Sequence, residues 1–286
     1  MLIQLDSDPQ ASTFDAIVAV DAGVDQLLTR SGVRPNEVAP LVHGAIFTRG
    51  LDDLKQSAIF IGGSDVQAGE ALLDAVRQAF FGPFRVSVML DSNGANTTAA
   101  AAVLAVERHL SLAGARVLVL GGTGPVGRRV ARLLAASGAV VGVASRERSR
   151  AEMACSEIQR RLAQPAQLAP LDPHQLPAFL AEAQALVATG AAGAKLLDEE
   201  QWRKAERLRV MVDLNAVPPA GIQGVEPQDR QVERHGVICY GALGVGGWKM
   251  KIHRRAVQML FEKNDQVLDA EEILALGRQL LQPTSS

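Results

Sequence analysis

The sequence predicts an α/β protein of two domains, and three observations support this fold class. Short, wholly apolar segments recur along the chain, and each is too brief for a helix but suits a buried parallel strand. Amphipathic segments with a helical period lie between them, and this alternation is typical of mainly parallel sheets. At 286 residues the chain is long enough for two domains with sizeable cores.

The N-terminal domain is predicted to be a three-layer α/β domain over residues 1–113, completed by C-terminal helices within 249–286. Ser12 is placed to cap its first helix, with Asp15 as the capping-box partner. The other elements expected in this domain are strands at Leu2–Leu5, Ala58–Ile61 and 86–90, helices after Pro35 and after Ser64 or Asp65, a helix over 98–113, and closing helices over 249–262 and 270–281, with 282–286 frayed.

Residues 91–98 form a polar cluster between the third predicted strand and the helix that follows it. In open α/β sheets, ligands bind just beyond the carboxyl ends of the strands, so this cluster is a candidate ligand site. It is equally consistent with an ordinary turn in which Asn96 or Thr97 caps the helix. The sequence leaves both interpretations open.

A G-x-G-x-x-G pattern organises the second domain, which is predicted over 114–248. The pattern lies between an apolar strand and an amphipathic helix, and this context favours a dinucleotide site over a ligand-free turn. Gly122 lets the strand turn tightly, Gly124 lets a pyrophosphate approach the backbone, and Gly127 lets helix and strand pack closely. The helix start then faces the phosphates. The pattern predicts a Rossmann-type, doubly wound domain whose cofactor-binding residues include Gly122, Thr123, Gly124, Pro125, Val126 and Gly127.

The rest of this domain continues the alternation of strands and helices. Two of its strands end in loops of small or polar residues, and loops of this kind form the crevice for the nicotinamide half of a dinucleotide. The loop residues assigned to the cofactor are Thr189, Gly190, Ala191, Asn215 and Ala216. The expected elements are strands at 139–144, Ala185–Ala188, 210–212 and Val237–Tyr240 and a helix at 149–162, with a proline-rich segment at 165–177 left unassigned and a glycine-rich loop at 241–247.

The residues after the second strand of this domain favour NADP over NAD. The NAD fingerprint has an acid about twenty residues beyond the glycines, at the end of that strand. This chain has Ser145 and Arg146 there, with Arg148 close by. An arginine pairs with a 2′-phosphate as a planar fork. The alternative is that Glu147 turns inward and accepts NAD.

Composition excludes several classes of partner. The formal net charge is −2, which favours neither nucleic acid nor an anionic membrane as a partner.

The two cysteines, Cys155 and Cys239, do not have the spacing of a metal site, so no metal is expected. Their small number indicates free thiols in a reducing compartment. The first residues show no signal-peptide pattern, and no apolar run is long enough to span a bilayer. We therefore expect a cytoplasmic protein.

No acid–base constellation is evident among the five histidines or elsewhere. Lys55 and Asp91 are only formal candidates for such a pair, and no hydrolase or phosphate-loop motif occurs. The reaction should therefore need little proton transfer. Hydride transfer requires chiefly close, aligned donor and acceptor carbons.

Several stretches together resemble one family. They are residues 81–87, the polar cluster 91–100, the glycine fingerprint 122–127, the segment 215–222 and the segment 241–244. The chain resembles bacterial methylene-tetrahydromethanopterin dehydrogenases of the branch that also uses methylene-tetrahydrofolate. The resemblance implies NAD(P)-dependent oxidation of a methylene-tetrahydropterin to its methenyl form in one-carbon (formaldehyde) metabolism. It also implies a homo-oligomer, and a cleft between the two domains.

The resemblance further implies which residues bind the pterin. Lys249 is the expected key polar residue, although Lys251 is equally available from the sequence. A cation beside a developing cation is unfavourable, so Lys249 is expected to contact a pterin carbonyl or carboxylate instead of the reacting carbon. The other implied substrate-binding residues are Phe14, Asp15, Asn93, Thr97, Thr98, Lys251 and Ile252.

Three further expectations separate this interpretation from its rivals. Related bifunctional dehydrogenase–cyclohydrolases use a Tyr-x-x-x-Lys pair, whereas here Tyr240 is followed by Gly244, so no cyclohydrolase activity is expected. A shikimate- or quinate-type dehydrogenase would need a Lys/Asp pair in the first domain. A non-catalytic NADP-binding sensor would bind nucleotide but turn over no tetrahydropterin.

Overall fold

The computed structural model describes residues 1–281 and divides the chain into two compact units. The first unit consists of Met1–Thr97 together with the segment that begins at Met250, and the second consists of Thr98–Lys249. Residues 98–113, which the sequence analysis groups with the first domain, lie in the second unit. The segment 282–286, expected to be frayed, lies outside the described residues.

The chain begins with four strands that alternate with helices. Short 3₁₀ turns precede α2, β3 and α4. The elements are β1 (Leu2–Leu5), α1 (Thr13–Asp21), β2 (Leu27–Arg30), α2 (Val38–Ile46), β3 (Ala58–Ile61), α3 (Val66–Ala79), β4 (Ser87–Leu90) and α4 (Ala95–Glu107).

Seven more strands follow before the chain returns to the first unit. The elements are β5 (Arg116–Leu120), α5 (Pro125–Ala136), β6 (Val140–Ala144), α6 (Arg148–Arg161), β7 (Leu168–Leu171), α7 (Leu176–Glu182), β8 (Ala185–Ala188), α8 (Glu199–Trp202), β9 (Val210–Asp213), β10 (Arg230–Arg234), β11 (Val237–Tyr240) and α9 (Ala242–Met259). The last two are β12 (Val267–Leu268) and α10 (Ala270–Leu281).

The first unit contains a five-stranded sheet in the order β12-β4-β3-β1-β2. Every neighbouring pair in it is parallel. The chain order reverses between β1 and β3, which makes this the switch point where ligands bind in open α/β sheets. β1, β3 and β4 are buried along their whole length, as expected for central parallel strands.

The second unit contains a seven-stranded sheet in the order β10-β11-β9-β8-β5-β6-β7. Its strands are parallel except for β10, which pairs antiparallel with β11. The switch point lies between β5 and β8, as in the doubly wound dinucleotide-binding plan. The predicted fold class is therefore confirmed.

Two helices begin earlier than predicted. α4 starts at Ala95 and ends at Glu107, whereas the sequence predicts 98–113. α9 starts at Ala242, so the predicted glycine-rich loop at 241–247 is mostly the first turns of a helix. A Cβ on Gly244 would lie 1.7 Å from the Asp229 carbonyl oxygen. Glycine is present here because the helix packs directly on a backbone, not because the chain turns.

Four strands were not predicted from the sequence, and each was missed for a physical reason. β2 and β10 are edge strands whose side chains are mostly exposed; β10 is largely polar, and β2 has only two apolar residues, so neither shows the apolar run of a buried strand. β7 contains Pro170, which is tolerated because β7 is also an edge strand. β12 has two residues and depends on its pairing with β4. Two predicted N-caps are present: Ser12 Oγ accepts the Asp15 N–H at 3.2 Å, and Asp65 Oδ1 accepts the Gln67 N–H at 2.8 Å. The predicted capping box at Ser12 is wrong, because the Ser12 N–H donates to Asp6 Oδ2 at 2.9 Å and not to Asp15.

Within residues 1–281, no helix is both long and apolar enough to cross a bilayer. The same part of the chain holds no group of three or more His, Cys, Asp or Glu side chains arranged to hold a metal ion. Cys155 and Cys239 are buried thiols, and burial raises the pKa of each to about 11.

Candidate functional site

The glycine-rich loop after β5 lies at the switch point of the second unit. Gly121, one residue before the fingerprint, has φ +67° and is the left-handed residue of the turn. A Cβ on Gly121 would lie 2.8 Å from the Gly190 backbone nitrogen. The tight turn is predicted at Gly122, and this is wrong: Gly121 is the residue with positive φ, and it also lies against the backbone at the end of β8.

The three fingerprint glycines have two different roles. A Cβ on Gly122 would lie 2.8 Å from Val143 Cγ1, and one on Gly127 would lie 2.6 Å from both the Gly121 carbonyl oxygen and Thr189 Oγ1. These two glycines therefore allow close packing within the protein. The nearest protein atom to a Cβ on Gly124 is 3.6 Å away, and Gly124 is the N-cap of α5. A side chain at Gly124 would therefore make only ordinary contacts within the protein, and the position lies at a helix start, where anions bind.

The other fingerprint residues follow the predicted pattern. Pro125 is the first residue of α5, where its missing N–H costs little. Thr123 and Val126 are half-buried, and Arg128 donates from Nε to the Thr123 carbonyl oxygen at 2.8 Å. That hydrogen bond fixes the loop conformation from within the helix.

The loops after β8 and β9 are held together by Asn215. Its Oδ1 accepts the N–H groups of Gly193 at 3.3 Å and Val217 at 3.0 Å, and its Nδ2 donates to the Pro219 carbonyl oxygen at 2.9 Å. Thr189 donates from Oγ1 to the Leu120 carbonyl oxygen at 2.8 Å, which ties the end of β8 to the end of β5. Asn215 and Thr189 therefore shape the crevice. Gly190 is half-buried, whereas Ala191 and Ala216 are exposed.

Asp213, at the end of β9, is a buried carboxylate that the sequence analysis missed. Its oxygens accept the Asn215 N–H at 3.0 Å and the Ile222 N–H at 2.8 Å. Burial raises the pKa of Asp213, and these backbone hydrogen bonds act in the opposite direction. The signal available in the sequence was an acid ending an apolar strand immediately before a polar loop.

Two arginines follow β6, and they differ in whether their side chains are held by another residue. Arg146 is exposed, whereas Arg148 Nε lies 2.8 Å from Glu152 Oε1 one turn along α6. Ser145 is half-buried, and its Oγ accepts the Glu147 N–H at 3.4 Å, which leaves the hydroxyl proton to donate. Glu147 is exposed at the N-cap of α6. Ser145 and Arg146 are therefore better placed than Arg148 to meet a 2′-phosphate.

The first unit collects acidic groups at the carboxyl edge of its sheet. Asp6, after β1, accepts the N–H groups of Asp8 and Ser12, each at 2.9 Å. Asp91, after β4, is fully buried and accepts from the Asn96 N–H at 2.9 Å and the Thr97 hydroxyl at 2.7 Å. Asp91 thus caps α4, which explains why this helix begins before the predicted residue.

Asp15 and His253 complete this group. Asp15 is half-buried on α1, and a Cβ on Gly62 would lie 3.1 Å from its Oδ2. His253 on α9 is 1 % exposed, and its Nδ1 lies 3.8 Å from Asp91 Oδ2. Burial raises the pKa of Asp15 to about 6, and the charge of His253 opposes that shift. Residues that are distant in sequence therefore converge here into an ionisable cluster, which their spacing in the sequence does not reveal.

The polar cluster 91–98 divides between two roles. Asn96 donates from Nδ2 to the Leu90 carbonyl oxygen at 2.6 Å and to Asp269 Oδ1 at 2.9 Å, and Thr97 is buried on Asp91. These side chains hold the helix start. Asn93 is exposed with φ +54°, and Thr98 is half-buried.

The residues predicted to bind the pterin differ in accessibility. Phe14 is 50 % exposed and its ring centroid lies 6.4 Å from that of His253. On α9, Ile252 is fully buried, Lys249 is half-buried and Lys251 is exposed. Phe14, Asp15 and His253 are therefore brought together, whereas Ile252 contributes packing.

Two family models match the chain. Residues 13–93 match the model for the N-terminal part of methylene-tetrahydromethanopterin dehydrogenase. Residues 103–235 match the model for shikimate / quinate 5-dehydrogenase. The first match lies wholly within the first unit and the second wholly within the second unit.

Two proteins of Methylorubrum extorquens are similar over nearly the whole chain. One is the bifunctional protein MdtA, 41% identical, with 98% of each chain covered. The other is an NAD(P)-dependent methylenetetrahydromethanopterin dehydrogenase, 33% identical, with 93% of this chain and 90% of that protein covered.

Among solved structures, a quinate dehydrogenase from Corynebacterium glutamicum in complex with NAD is similar in fold. It is 15% identical, the match covers 99% of each chain, and the TM-score is 0.52. At that identity the likeness concerns the fold alone.

Proposed function

Since the chain belongs to the methylene-tetrahydromethanopterin dehydrogenase family, we propose that it transfers a hydride from a methylene-tetrahydropterin to NADP. The observation that carries this proposal is that α5 has its N-cap at Gly124, at the switch point of the second unit, where a Cβ would meet no protein atom closer than 3.6 Å. NADP, when bound, supplies the nicotinamide carbon that accepts the hydride. The family match over residues 13–93 favours this function over a shikimate- or quinate-type activity.

The reaction needs no side-chain base. The C–H bond of the methylene carbon breaks, both electrons leave with the hydride, and the positive charge that remains is shared by the two nitrogens beside that carbon. The protein has to align the two reacting carbons and exclude water. This agrees with a chain whose ionisable cluster is largely buried and engaged in holding loops and helix starts.

In the second unit, each group has a distinct part in holding the nucleotide. The start of α5 meets the pyrophosphate, Ser145 and Arg146 meet the 2′-phosphate, and the loops set by Thr189 and Asn215 accommodate the nicotinamide half. NAD remains the alternative cofactor, because NAD lacks only the phosphate that Arg146 would meet.

In the first unit, Phe14 and Asp15 are the groups we assign to the pterin ring. A half-exposed phenyl ring offers a stacking face, and a carboxylate accepts two N–H groups of a pyrimidine edge. Both side chains lie on α1 beside the switch point of that sheet. Asn93 is exposed, so it is accessible enough to contact the remainder of the substrate.

The Arg146→Ala variant should weaken NADP binding about 10- to 100-fold, the effect of losing charge-assisted hydrogen bonds to a phosphate. Its affinity for NAD should stay within about twofold, because NAD has no 2′-phosphate. Titration of nucleotide fluorescence measures both affinities. Arg150→Ala, another exposed arginine nearby, is the matched control. Equal losses for NADP and NAD would contradict the assignment.

The Lys249→Ala variant should lower kcat/KM for the tetrahydropterin about 10- to 100-fold, because a hydrogen bond to a charged group is lost. Lys251 is exposed on the same helix, so Lys251→Ala should change kcat/KM less than about threefold. Lys263→Ala serves as a surface control. Steady-state kinetics at saturating NADP distinguishes the three variants, and a larger loss in Lys251→Ala would reverse the assignment.

The deciding experiment follows methenyl formation by absorbance with each tetrahydropterin and each nucleotide. We expect turnover with methylene-tetrahydromethanopterin and NADP, and we propose methylene-tetrahydrofolate as a second substrate. The methenyl product should accumulate without hydrolysis, because Gly244 stands where a cyclohydrolase has lysine. Nucleotide binding without any turnover would instead support an NADP-binding sensor.

We also propose that the protein is a cytoplasmic homo-oligomer, with the first unit binding the pterin and the second binding the nucleotide. Light scattering of the purified chain tests the oligomeric state, and a monomer at micromolar concentration would contradict it.

A further inference from the structure

We propose that Asp213 is a positioning residue whose buried carboxylate holds both ends of the loop at 214–222, and so fixes the part of the crevice that accommodates the nicotinamide half of NADP. This inference rests on the proposed function, because it names how one loop of the proposed nucleotide crevice is maintained. Asp213 does not itself need to touch the nucleotide.

The Asp213 side chain joins two backbone positions that are far apart along the loop. Asp213 is the last residue of β9 and is 1 % exposed. Its Oδ1 accepts the N–H of Asn215, two residues on, at 3.0 Å, and its Oδ2 accepts the N–H of Ile222, nine residues on, at 2.8 Å. Between these two N–H groups the chain reaches the surface, where residues 216–219 are exposed. One carboxylate therefore holds both ends of a loop whose tip is accessible.

Both ends of this loop are also tied to the segment that follows β8. At the first end, Asn215 Oδ1 accepts the Gly193 N–H at 3.3 Å. At the other end, the Gly221 carbonyl oxygen accepts the Leu196 N–H at 2.8 Å. β8 borders the switch point of the sheet and pairs with β9. The Asp213 carboxylate thus helps to set two neighbouring loops at the edge of the sheet where a dinucleotide binds.

The geometry requires a carboxylate at this position. An ionised carboxylate has two acceptor oxygens, and here each of them receives a backbone N–H, which can only donate. Burying a carboxylate is costly unless it is hydrogen-bonded, so the charge and the loop conformation depend on each other. The fit is also close, because a Cβ on Gly221 would lie 2.9 Å from Asp213 Oδ1.

The Asp213→Asn variant should lower kcat about 10- to 100-fold at saturating tetrahydropterin and NADP. The amide presents an NH₂ group to one of the two backbone N–H groups, so one end of the loop is released and the reacting carbons are no longer held in line. Affinity for adenosine 2′,5′-bisphosphate, which lacks the nicotinamide half, should stay within about twofold. Stopped-flow absorbance measures the first quantity and calorimetric titration the second. A residue that only stabilised the fold would not separate them.

Asp172→Asn is the matched control, because Asp172 does the same chemistry elsewhere in the sheet. It follows β7, and its Oδ1 accepts the N–H groups of His174 at 2.9 Å and Gln175 at 3.1 Å. β7 is an edge strand separated from β9 by β8, β5 and β6. This variant should keep kcat within about twofold of the wild type.

Gly221→Ala tests the same contact from the loop side. Its methyl group would lie 2.9 Å from Asp213 Oδ1, so the carboxylate has to shift. The variant should lower kcat and leave the affinity for adenosine 2′,5′-bisphosphate unchanged. Because both changes act on one contact, the double variant should lose less than about threefold beyond the larger single loss. Losses that multiply in the double variant would contradict the proposal.

The outcomes separate this inference from the proposed function. Absence of turnover in the wild-type enzyme would overturn the function itself. Wild-type turnover with an unchanged kcat in Asp213→Asn would overturn only the role of Asp213. An equal loss of kcat and of affinity for adenosine 2′,5′-bisphosphate would do the same.

Amide hydrogen exchange of the wild-type enzyme tests the contact without turnover and without a variant that has to fold. The Asn215 and Ile222 N–H groups should exchange slowly in the free enzyme. NADPH should slow exchange over residues 214–222, whereas adenosine 2′,5′-bisphosphate should not. Fast exchange of the Ile222 N–H, or equal slowing by both ligands, would overturn the proposal.

Discussion

Replacing Gly124 with alanine should leave the fold intact and reduce nucleotide affinity about 100-fold or more. A Cβ at this position meets no protein atom closer than 3.6 Å, and the backbone φ is −76°, so alanine is accommodated without strain. The methyl group would instead occupy the space through which a pyrophosphate reaches the start of α5. Losing two charge-assisted hydrogen bonds corresponds to about 3 kcal/mol or more, hence about 100-fold.

Gly127→Ala provides the matched comparison, because its Cβ would lie 2.6 Å from a carbonyl oxygen of the backbone. This variant should unfold at lower temperature, since α5 must move away from the loop after β5. Thermal melts and nucleotide titrations of both variants therefore separate an effect on the stability of the fold from an effect on nucleotide affinity. If Gly124→Ala bound NADP like the wild type, the loop after β5 would not be the phosphate site.

Replacing Asp15 with asparagine should lower kcat/KM for the tetrahydropterin about 100-fold at pH 8 while nucleotide affinity stays unchanged. The amide keeps one acceptor oxygen but presents an NH₂ group to the second N–H of the ring, which leaves donors facing each other. The remaining activity should no longer fall between pH 7 and pH 5. Asp74→Asn, an exposed aspartate on α3, is the control. An acidic limb that persists in Asp15→Asn would contradict the assignment.

The same variant should be more stable than the wild type in the absence of substrate at pH 7. Burial raises the pKa of Asp15 to about 6 from an ordinary value of 3.8, so the folded state binds the proton more tightly than the unfolded state. The ionised carboxylate therefore destabilises the fold above pH 6, and stability rises as the pH falls from 6 towards 3.8. An asparagine removes this cost, and thermal melts at pH 5 and pH 8 measure it.

Local sequence patterns predicted those parts of the structure that depend on interactions between residues close together in the sequence. The apolar strands, the cap at Ser12 and the strand–turn–helix context of the glycine fingerprint all lie within short windows of sequence. These features are visible because the interactions that create them are local.

The features that could not be predicted depend on contacts between segments that are distant in the sequence. Asp91 and His253 meet only because the chain returns to the first unit at Met250, and the sequence contains no signal that would pair them. Gly121 looks like one glycine among several until the end of β8 is placed beside it. The glycines that open α9 resemble a loop in sequence, since nothing local reveals that a backbone packs against them.

The pairing of β12 with β4 means that the first unit is not continuous in the chain. During synthesis on the ribosome, residues 1–97 emerge long before the segment that supplies their fifth strand and His253. The second unit can fold before the sheet of the first unit has its edge strand, because domains generally fold as units as they emerge. The edge strand β12 and the contact of His253 with Asp91 therefore form only at the end of translation, so the first unit is the last to mature.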